Sequence, residues 1–354
     1  MTSTKIVKLD PLSFMADYLK EAASILSRGG LVIIPTETVY GIAANMTDLG
    51  AIERLYKIKA RPRSKPFSLH LDRKEKVEYF AHDIPVSAYK LMDEFWPGPL
   101  TLIFKSNDKG TIGIRVPNNN IALAIIGLSG VPIVCPSANI SGKAPPTNFH
   151  DAIQELDGLV DFAIDAGPTK LGVESTVADV TVEPIRILRE GAIKKEDIEE
   201  VIKKKVILFI CTGNSCRSVM AEALLEKALN EKNRGDVEVL SAGIMMLEGL
   251  SATEEVRSLL GKEGIDVSEH RSRRVTRNML KKSDLILVME KMHEKRILEL
   301  VPEAKNRLFL LKEFAKINNH NDLDISDPIG RSFEFYLQTL NTIKEAIERI
   351  SNII

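Results

Sequence analysis

The sequence predicts an α/β protein made of two different domains. A chain of 354 residues is longer than most domains with a single hydrophobic core, so the length favours two domains. Helical and strand patterns alternate throughout, and from Val206 onward they follow the order of a doubly wound fold with a parallel sheet. No internal repeat relates the two halves. We therefore expect unrelated domains over residues 1–204 and 205–354, with the boundary near residues 203–206.

In the first half, helices and strands are predicted from hydrophobic periodicity. Amphipathic spacing predicts helices over residues 16–28 and 49–59. Short apolar runs predict strands. These strands cover residues 31–34, 67–71, 100–104, 112–116, 131–135, 161–165, 175–182 and 185–189. A charged stretch at residues 194–205 predicts a short solvated helix that leads into the second half.

The second half begins with an apolar strand at residues 206–210 and continues with a helix over residues 219–229. The later predicted elements are strands at residues 237–241, 284–289 and 308–311 and a long helix at residues 332–350. Ligands of doubly wound folds bind outside the carboxyl ends of the strands. The loop that follows the first strand is therefore the expected ligand site.

Composition and charge narrow the class of protein. A net charge of −1, with 44% hydrophobic and 27% charged residues, describes an ordinary soluble globular protein without a global attraction to nucleic acid or membrane. No apolar stretch is long enough to span a bilayer, and residues 1–8 lack the core of a signal peptide. The three cysteines cannot form a disulfide framework, and no Cys/His spacing indicates a metal site. We expect a cytoplasmic protein with a reactive thiol.

The run Cys211-Thr-Gly-Asn-Ser-Cys-Arg217 has the composition of a phosphate cradle. Its backbone N–H groups can point inward at an oxyanion, and Gly213 relaxes the steric limits of the turn. The helix expected to begin near Arg217 favours an anion and a thiolate at its positive end. Cys211 is then a nucleophile for phosphoryl transfer, and Arg217 is a bidentate clamp. A buried structural cysteine is the alternative, which the strand, turn and helix together disfavour.

Asp327 is the candidate proton donor for the leaving group. It precedes Pro328 in the loop before the last helix, and the proline limits its freedom. Alone, an Asp-Pro pair indicates only a turn. Together with the Cys211 loop and with residues 241–243 and 284–289, it makes the second half resemble the low-molecular-weight protein phosphatase family. The resemblance implies a doubly wound parallel sheet and a reaction without a cofactor.

The same resemblance implies a role for each residue of the loop. Cys211 would form a cysteinyl-phosphate intermediate, Arg217 would clamp the transition state, and Asp327 would act as acid and then as base for water. Ser218 would hydrogen-bond the thiolate. Asn214 would hold the shape of the loop.

Substrate choice depends on two positions of the predicted pocket. Phosphotyrosine members of the family usually carry a bulky aliphatic residue where Ser215 stands, and an aromatic residue where Ile329 stands. The related bacterial protein-arginine phosphatases have a small hydroxyl residue at the first position, and a hydroxyl suits a polar leaving group. The resemblance favours phosphoarginine in proteins over phosphotyrosine. Arsenate reduction generally needs additional thiols, and here only Cys216 is nearby. Cys216 would trap an oxidised Cys211 as a disulfide, or it is a small core thiol.

Two clusters in the first half carry anion-binding side chains. Five cations occur in residues 57–65, where Pro62 and Pro66 restrain the backbone before a predicted strand. This arrangement suits a polyphosphate, whereas a charge run alone indicates a solvated helix end or a nucleic-acid patch. Residues 135–142 place small hydroxyl and amide groups after a buried strand. Taken alone, they indicate a capped turn.

With residues 35–41, 97–101, 113–117, 174–177 and 186–191, these clusters resemble the YrdC-type threonylcarbamoyl-adenylate synthases over roughly residues 10–200. The resemblance implies an α/β domain with a twisted mixed sheet. It also implies synthesis of L-threonylcarbamoyl-AMP and pyrophosphate from L-threonine, bicarbonate and ATP, with Mg²⁺ accompanying ATP and no dedicated carboxylate cage. The implied ATP-binding residues are Lys59, Arg61, Lys65, Thr111, Ser137, Asn139 and Arg189. The implied threonine-binding residues are Thr38, His70, Arg115 and Ser175, with an ordinary core histidine as the equal alternative for His70.

The resemblance implies partners as well as substrates. Threonylcarbamoyl-AMP would feed modification of the adenosine beside the anticodon of tRNA by partner proteins, and a phosphorylated protein would be the substrate of the second half. Family members have a concave basic surface, so a weak tRNA contact, or an RNA-binding rather than a catalytic first half, is the competing hypothesis. The phosphatase-like half stands where longer synthases carry another domain. The sequence leaves open why the halves are fused, whether they are coupled, and the oligomeric state.

Overall fold

The structure is a computed structural model, and it describes residues 3–9, 16–246, 248–317 and 322–354. The chain divides into two compact units, Met1–Val201 (unit 1) and Ile202–Ile354 (unit 2). Among the described residues, no helix has both the length and the apolar composition that a membrane span requires.

Unit 1 is built on a sheet of eleven strands. The strands are β1 (Lys5–Lys8), β2 (Val32–Ile34), β3 (Gly41–Asn45), β4 (Leu69–His70), β5 (Ala81–His82), β6 (Leu100–Ser106), β7 (Thr111–Arg115), β8 (Ile133–Val134), β9 (Phe162–Asp165), β10 (Thr176–Asp179) and β11 (Arg186–Arg189). The helices are α1 (Ala16–Ser27), α2 (Leu49–Lys59), α3 (Val86–Phe95), α4 (Asn120–Ser129), α5 (Phe149–Gln154) and α6 (Lys195–Lys203), with a 3-10 helix at Lys74–Tyr79.

The sheet of unit 1 has the order β1-β9-β2-β3-β8-β4-β7-β6-β10-β11, with β5 paired to β6. The sheet contains both parallel pairs, such as β4 with β7 and β6 with β10, and antiparallel pairs, such as β2 with β3 and β6 with β7. This is the mixed sheet that the sequence predicts. Apolar side chains from strands and helices form buried clusters that contribute to the core of this unit.

Local signals explain which elements could be predicted. The helix over residues 49–59 has the predicted bounds, because Asp48 caps it by accepting a hydrogen bond from the Ala51 N–H, and Ala60 ends it in the left-handed conformation. Sequence reasoning missed β1, β3 and β5 and helices α3 to α5. The sequence of α4 is apolar on most sides (NIALAIIGLS), so it shows no helical period.

Unit 2 is a four-stranded sheet with helices on both faces. Its strands are β12 (Lys205–Cys211), β13 (Val237–Gly243), β14 (Leu285–Val288) and β15 (Leu308–Leu310). Its helices are α7 (Arg217–Glu231), α8 (Glu254–Lys262), α9 (Arg277–Lys282), α10 (Lys291–Leu300), α11 (Leu311–Phe314) and α12 (Phe333–Ile350), with a 3-10 helix at Pro302–Arg307.

All strand pairs of this sheet are parallel, in the order β13-β12-β14-β15. The order confirms the predicted doubly wound fold. Side chains alternate along β12, so Phe209 packs into one buried cluster and Leu208 and Ile210 into another. Cys211 ends this central strand, at the edge where the loops of the fold meet.

Candidate functional sites

Unit 1 contains a cavity of about 390 Å³. It is bounded by the loops that follow β2, α2 and β8 and by residues of β4, β6, β7 and β11. Among the described residues that line it, Glu174 is the single carboxylate, opposed by four Arg or Lys side chains, and this balance favours a polyanion. Eight lining residues were predicted from the sequence: Thr38, Arg61, Lys65, His70, Arg115, Ser137, Ser175 and Arg189.

Lys59 lies behind the wall of this cavity and is only 2% exposed. Its Nζ donates to the carbonyl oxygen of Ser137 at 2.6 Å, to that of Asn139 at 2.5 Å and to Asn139 Oδ1 at 2.8 Å. Three acceptors match the three protons of an ammonium group. Burial and the nearby Arg61 lower the pKa of Lys59 to about 8. Lys59 and Asn139 therefore shape the loop at the cavity rim instead of pointing free charge into the cavity.

The structure does not bring Thr111 to this site. Thr111 begins β7, is exposed, and pairs with Lys105 of β6. Arg115, at the other end of β7, does line the cavity. A strand extends about 13 Å over four residues. Arg115 can therefore line the cavity while Thr111, at the other end of the strand, lies outside it.

Arg61 and Arg189 are held in place by backbone oxygens. Arg61 donates from Nε to the Lys65 carbonyl at 2.8 Å, and its guanidinium lies 5.3 Å from the centre of the Phe67 ring. Arg189 donates to the Ser175 carbonyl at 2.8 Å and forms an ion pair with Glu174 at 2.6 Å. Sequence reasoning assigned no role to Glu174. The ion pair with Glu174 holds Arg189 near the cavity, since both side chains are only partly exposed to solvent.

Arg115 forms a buried ion pair that the sequence did not reveal. Its NH2 donates to Glu37 Oε1 at 2.7 Å and to Thr38 Oγ1 at 3.0 Å, and its Nε donates to the Gly98 carbonyl. Glu37 Oε2 is buried without a partner among the described residues. None of these three bonds uses the NH1 of Arg115, and Arg115 lines the cavity. The signal in the sequence was an acidic residue three positions after a buried strand.

His70 is a buried residue that also lines the cavity. Burial and the charge of Arg115 lower its pKa to about 3, so the ring is neutral at physiological pH. Its Nδ1 lies 3.3 Å from the carbonyl oxygen of Ser68, which can only accept. The ring proton is therefore assigned to Nδ1, which leaves Nε2 as a hydrogen-bond acceptor.

In unit 2, the loop after β12 surrounds the thiol of Cys211. The Sγ lies 3.0 Å from Ser218 Oγ and 3.3 Å from the backbone N–H of Asn214. Helix α7 begins at Arg217, as the sequence predicts. The thiol thus sits at the positive end of a helix among hydrogen-bond donors, a position that suits a nucleophile for phosphoryl transfer.

Asn214 is the structural centre of this loop. It has a positive φ of 54°, which asparagine tolerates better than most residues. Its Nδ2 donates to Ser218 Oγ and Ser241 Oγ, and its Oδ1 accepts from the backbone of Arg273. A Cβ on Gly243 would stand 2.8 Å from the Thr212 carbonyl oxygen, so only glycine lets the end of β13 approach the loop.

Arg217 is 1% exposed and has a nearly complete set of partners. Its NH1 donates to Glu290 Oε2 and to the Ile325 carbonyl, both at 2.7 Å. Its NH2 donates to Thr212 Oγ1 at 3.0 Å and to Asp327 Oδ2. The Nε is buried without a partner among the described residues. The predicted clamp and the predicted acid are therefore in contact, and one guanidinium donor is left for a ligand.

Three residues of this site were missed from the sequence: Thr212, Glu290 and His293. Thr212 Oγ1 lies 3.0 Å from His293 Nε2, and the backbone N–H of Glu290 donates to His293 Nδ1 at 3.1 Å. His293 is fully buried, and burial and Arg217 lower its pKa to about 4. A local pattern could have indicated Glu290 and His293, because they form a reciprocal cap at the start of α10.

The two predicted specificity positions differ in exposure. Ser215 is 8% exposed, whereas Ile329 is 53% exposed and donates its backbone N–H to Asp327 Oδ1 at 3.1 Å. Cys216 is buried in the same apolar cluster as Cys211, and burial raises its pKa. Its Sγ lies 3.6 Å from Thr253 Oγ1. All three cysteines of the chain are free.

Histidine, cysteine and carboxylate side chains do not gather into a group of three or more that could hold a metal ion, within the part of the chain that the structure describes. Both candidate sites carry groups that bind anions. One is a cation-lined cavity, and the other is a thiol enclosed by a phosphate-binding loop.

Two protein-family models match the chain. The Sua5, YciO and YrdC model, described as "Telomere recombination", matches residues 24–191, and the model "Low molecular weight phosphotyrosine protein phosphatase" matches residues 206–353. These matches confirm both resemblances that the sequence analysis found.

Individual proteins resemble one half or the other. A threonylcarbamoyl-AMP synthase of Pyrococcus abyssi is 42% identical over 193 residues, which cover 52% of this chain and 57% of the relative. A protein-arginine-phosphatase of Geobacillus stearothermophilus is 38% identical over 145 residues, which cover 41% of this chain and 93% of the relative. A crystal structure of P. abyssi Sua5 complexed with L-threonine is 27% identical with a TM-score of 0.54, covering 87% of this chain and 99% of that one. The chain spans little more than half the length of several curated synthases that it matches.

Proposed function

Because the chain belongs to the Sua5, YciO and YrdC family in its first half and to the low molecular weight phosphotyrosine protein phosphatase family in its second, we propose that it is a bifunctional enzyme. The domain over residues 1–204 makes L-threonylcarbamoyl-AMP and pyrophosphate. The domain over residues 205–354 hydrolyses phosphorylated protein. The location is cytoplasmic, where a catalytic thiol stays reduced.

The observation that carries the synthase proposal is the cation-lined cavity of unit 1. Arg61, Lys65 and Arg189 bind the phosphates of ATP, and Lys59 acts through the Ser137–Asn139 loop that it holds. Mg²⁺ would accompany ATP and neutralise phosphate charge, and Glu174 would offer it one carboxylate beside the phosphates and water.

The threonine end of the cavity is assigned to Arg115 and His70. The NH1 of Arg115 pairs with the threonine carboxylate, and the Nε2 of His70 accepts a hydrogen bond from the amino acid. Thr38 and Ser175 contribute hydroxyl groups. The threonine amine combines with bicarbonate to give a carbamate and water. A carbamate oxygen then bonds to the α-phosphorus of ATP while the bond to the β-phosphate oxygen breaks, and pyrophosphate leaves. The cations stabilise the charge that develops on the phosphates.

Pyrophosphate release dependent on ATP, L-threonine and bicarbonate tests the synthase proposal. Arg61→Ala should lower kcat/KM at least about tenfold, since it removes a charged phosphate contact. Arg63→Ala is the matched control, because Arg63 lies in the same loop, pairs with Glu53 and does not line the cavity. Tight RNA binding by wild-type protein that releases no pyrophosphate would instead support the RNA-binding hypothesis. Delivery of the product to tRNA-modification partners, with a weak tRNA contact, belongs to the same proposal.

The observation that carries the phosphatase proposal is the orphaned Nε of Arg217 beside the thiol loop. A bound phosphoryl group takes hydrogen bonds from this Nε and from the loop N–H groups. Cys211 thiolate forms a bond to phosphorus while the bond to the leaving group breaks, and the leaving atom takes a proton from Asp327. Water then attacks the cysteinyl-phosphate, with Asp327 accepting its proton and phosphate departing. No cofactor takes part.

Phosphoarginine in proteins is the proposed substrate, and phosphotyrosine is the alternative. Ser215 contributes a small polar side chain to the loop. A hydroxyl there suits a guanidinium leaving group better than a flat apolar ring. The test compares hydrolysis of phosphoarginine and phosphotyrosine peptides by the wild type and by Ser215→Ile. We expect the wild type to prefer phosphoarginine and the variant to shift toward phosphotyrosine. A wild type that clearly prefers phosphotyrosine would reject this substrate assignment.

A further inference from the structure

Thr212 and His293 take no part in the proposed reaction steps, but Thr212 contacts Arg217 and His293 contacts Thr212. Thr212 Oγ1 lies 3.0 Å from His293 Nε2 and 3.0 Å from Arg217 NH2. Thr212 is half-buried on the phosphate-binding loop, whereas His293 is fully buried in the first turn of α10. The contact therefore joins the loop to a helix 81 residues further along the chain.

The direction of the hydrogen bond between them follows from the other ring nitrogen. The backbone N–H of Glu290 donates to His293 Nδ1 at 3.1 Å, so Nδ1 carries no proton. Since the pKa of His293 is lowered to about 4, the ring is neutral at physiological pH and its single proton is on Nε2. His293 therefore donates to Thr212, whose oxygen accepts from Arg217 as well.

These contacts restrict the orientation of the Arg217 guanidinium. Glu290 and the Ile325 carbonyl hold its NH1, and Thr212 holds one hydrogen of NH2. The contact of NH2 with Asp327 involves a side chain that is 33% exposed, against 21% for Glu290, so we expect the other partners to contribute more to fixing the guanidinium plane. With this plane fixed, the orphaned Nε keeps its place in the phosphate-binding loop.

We propose that His293 and Thr212 are positioning residues for phosphoryl transfer: His293 and Arg217 both donate to Thr212 Oγ1, and this shared acceptor orients Arg217 for its phosphoryl ligand. The proposal rests on the phosphatase function of unit 2. It predicts that the pair acts as one unit, because removing either member breaks the same arrangement. Neither residue touches the reacting atoms in this scheme.

The test uses the full-length chain and three single substitutions. His293→Asn keeps an oxygen near the Nδ1 position for the Glu290 N–H but is too short to reach Thr212. Thr212→Val keeps the shape of the side chain and removes its oxygen, whereas Thr212→Ser restores the oxygen. The probes are orthovanadate, measured by titration calorimetry, and p-nitrophenyl phosphate, measured by steady-state kinetics.

We expect His293→Asn and Thr212→Val each to weaken orthovanadate binding and to lower kcat about tenfold, as loss of a hydrogen bond to a charged group predicts. KM should change less than kcat, because a misoriented Arg217 loses most in the transition state. Thr212→Ser should stay close to wild type. The double variant should be no worse than Thr212→Val alone.

Orthovanadate affinity equal to wild type in a folded Thr212→Val variant would overturn the proposal, and so would additive losses in the double variant. Thermal melting of each variant separates these outcomes from unfolding. Failure of the phosphatase function is distinguishable, since a wild type that binds orthovanadate but does not hydrolyse p-nitrophenyl phosphate would reject catalysis alone. The binding data would still decide whether the pair positions Arg217.

Discussion

His70 and His293 are both buried beside an arginine, and both stay neutral at physiological pH for that reason. Each then offers one defined donor and one defined acceptor to its surroundings. His70 keeps an acceptor nitrogen for the cavity of unit 1, while His293 donates to Thr212 in unit 2. The same residue type serves two sites through hydrogen bonding without a change of charge.

The lowered pKa of His70 predicts a pH dependence of stability. Its folded pKa of about 3 lies below the value of about 6.5 in an unfolded chain. As pH falls below about 6.5, the unfolded state takes up a proton first, so stability present at neutral pH is lost toward pH 3. Between pH 7.5 and pH 5, the wild type should lose about 2 kcal/mol more unfolding free energy than His70→Asn.

Urea unfolding followed by tryptophan fluorescence measures this difference. Trp96 is the only tryptophan of the chain and is buried in unit 1, so its signal reports the unit that contains His70. His82→Asn is the control, because His82 is exposed on β5 and should leave the pH dependence of the wild type unchanged. Equal pH dependence in the wild type and His70→Asn would contradict the prediction.

At the scale of secondary-structure elements, the end of each element places the side chains that matter. Helix α2 ends at Lys59, which lies under the loop that follows β8. Strand β12 ends at Cys211, and α7 begins six residues later at Arg217. The chemistry of both units is therefore located where regular backbone stops and loop N–H and carbonyl groups become available for side chains or ligands.

Lys59→Met tests whether Lys59 supports the loop over residues 137–139. The substitution leaves the carbonyl oxygens of Ser137 and Asn139 without their donor, at a cost of about 1–3 kcal/mol for each buried acceptor. We expect a lower urea midpoint for the Trp96 transition together with loss of pyrophosphate release. Lys57→Met, at an exposed position of the same helix, should leave both unchanged. Full stability with weakened ATP binding would show instead that Lys59 contacts the nucleotide directly.

At the scale of the whole molecule, each unit has buried apolar clusters of its own. Two buried apolar clusters consist of residues of unit 1, and two others consist of residues of unit 2. Each candidate site is built from residues of one unit. Sites built within one unit favour independent activities, because neither proposed reaction uses a side chain from the other unit.

Reciprocal inactivation in the full-length chain tests this independence. Cys211→Ser should abolish hydrolysis of phosphorylated peptide, because a serine hydroxyl is a poor nucleophile without an adjacent base, and should leave pyrophosphate release unchanged. Arg61→Ala should have the opposite effect. If Cys211→Ser lowers pyrophosphate release, or Arg61→Ala lowers phosphate release, the two activities are coupled.

The sequence by itself determined the two-part α/β organisation and the local motifs. The loop from Cys211 to Arg217 could be predicted because a strand, a turn and a helix start follow one another directly, and their geometry depends on neighbouring residues. The cation cluster at residues 57–65 was visible for the same reason. The separate roles of its residues could not be predicted, since Lys59 anchors a loop whereas Arg61 lines the cavity.

Only the tertiary structure decided which distant side chains meet. The ion pair of Arg115 with Glu37 joins residues 78 positions apart, and the contacts of Arg217 with Glu290 and Asp327 span 73 and 110 positions. The same holds for Thr212 and His293, and for the position of Thr111 at the far end of its strand. Such contacts depend on strand order and on which loops meet at one edge of a sheet. The spacing of residues along the chain determines local backbone geometry, whereas the packing of the whole domain determines these distant contacts.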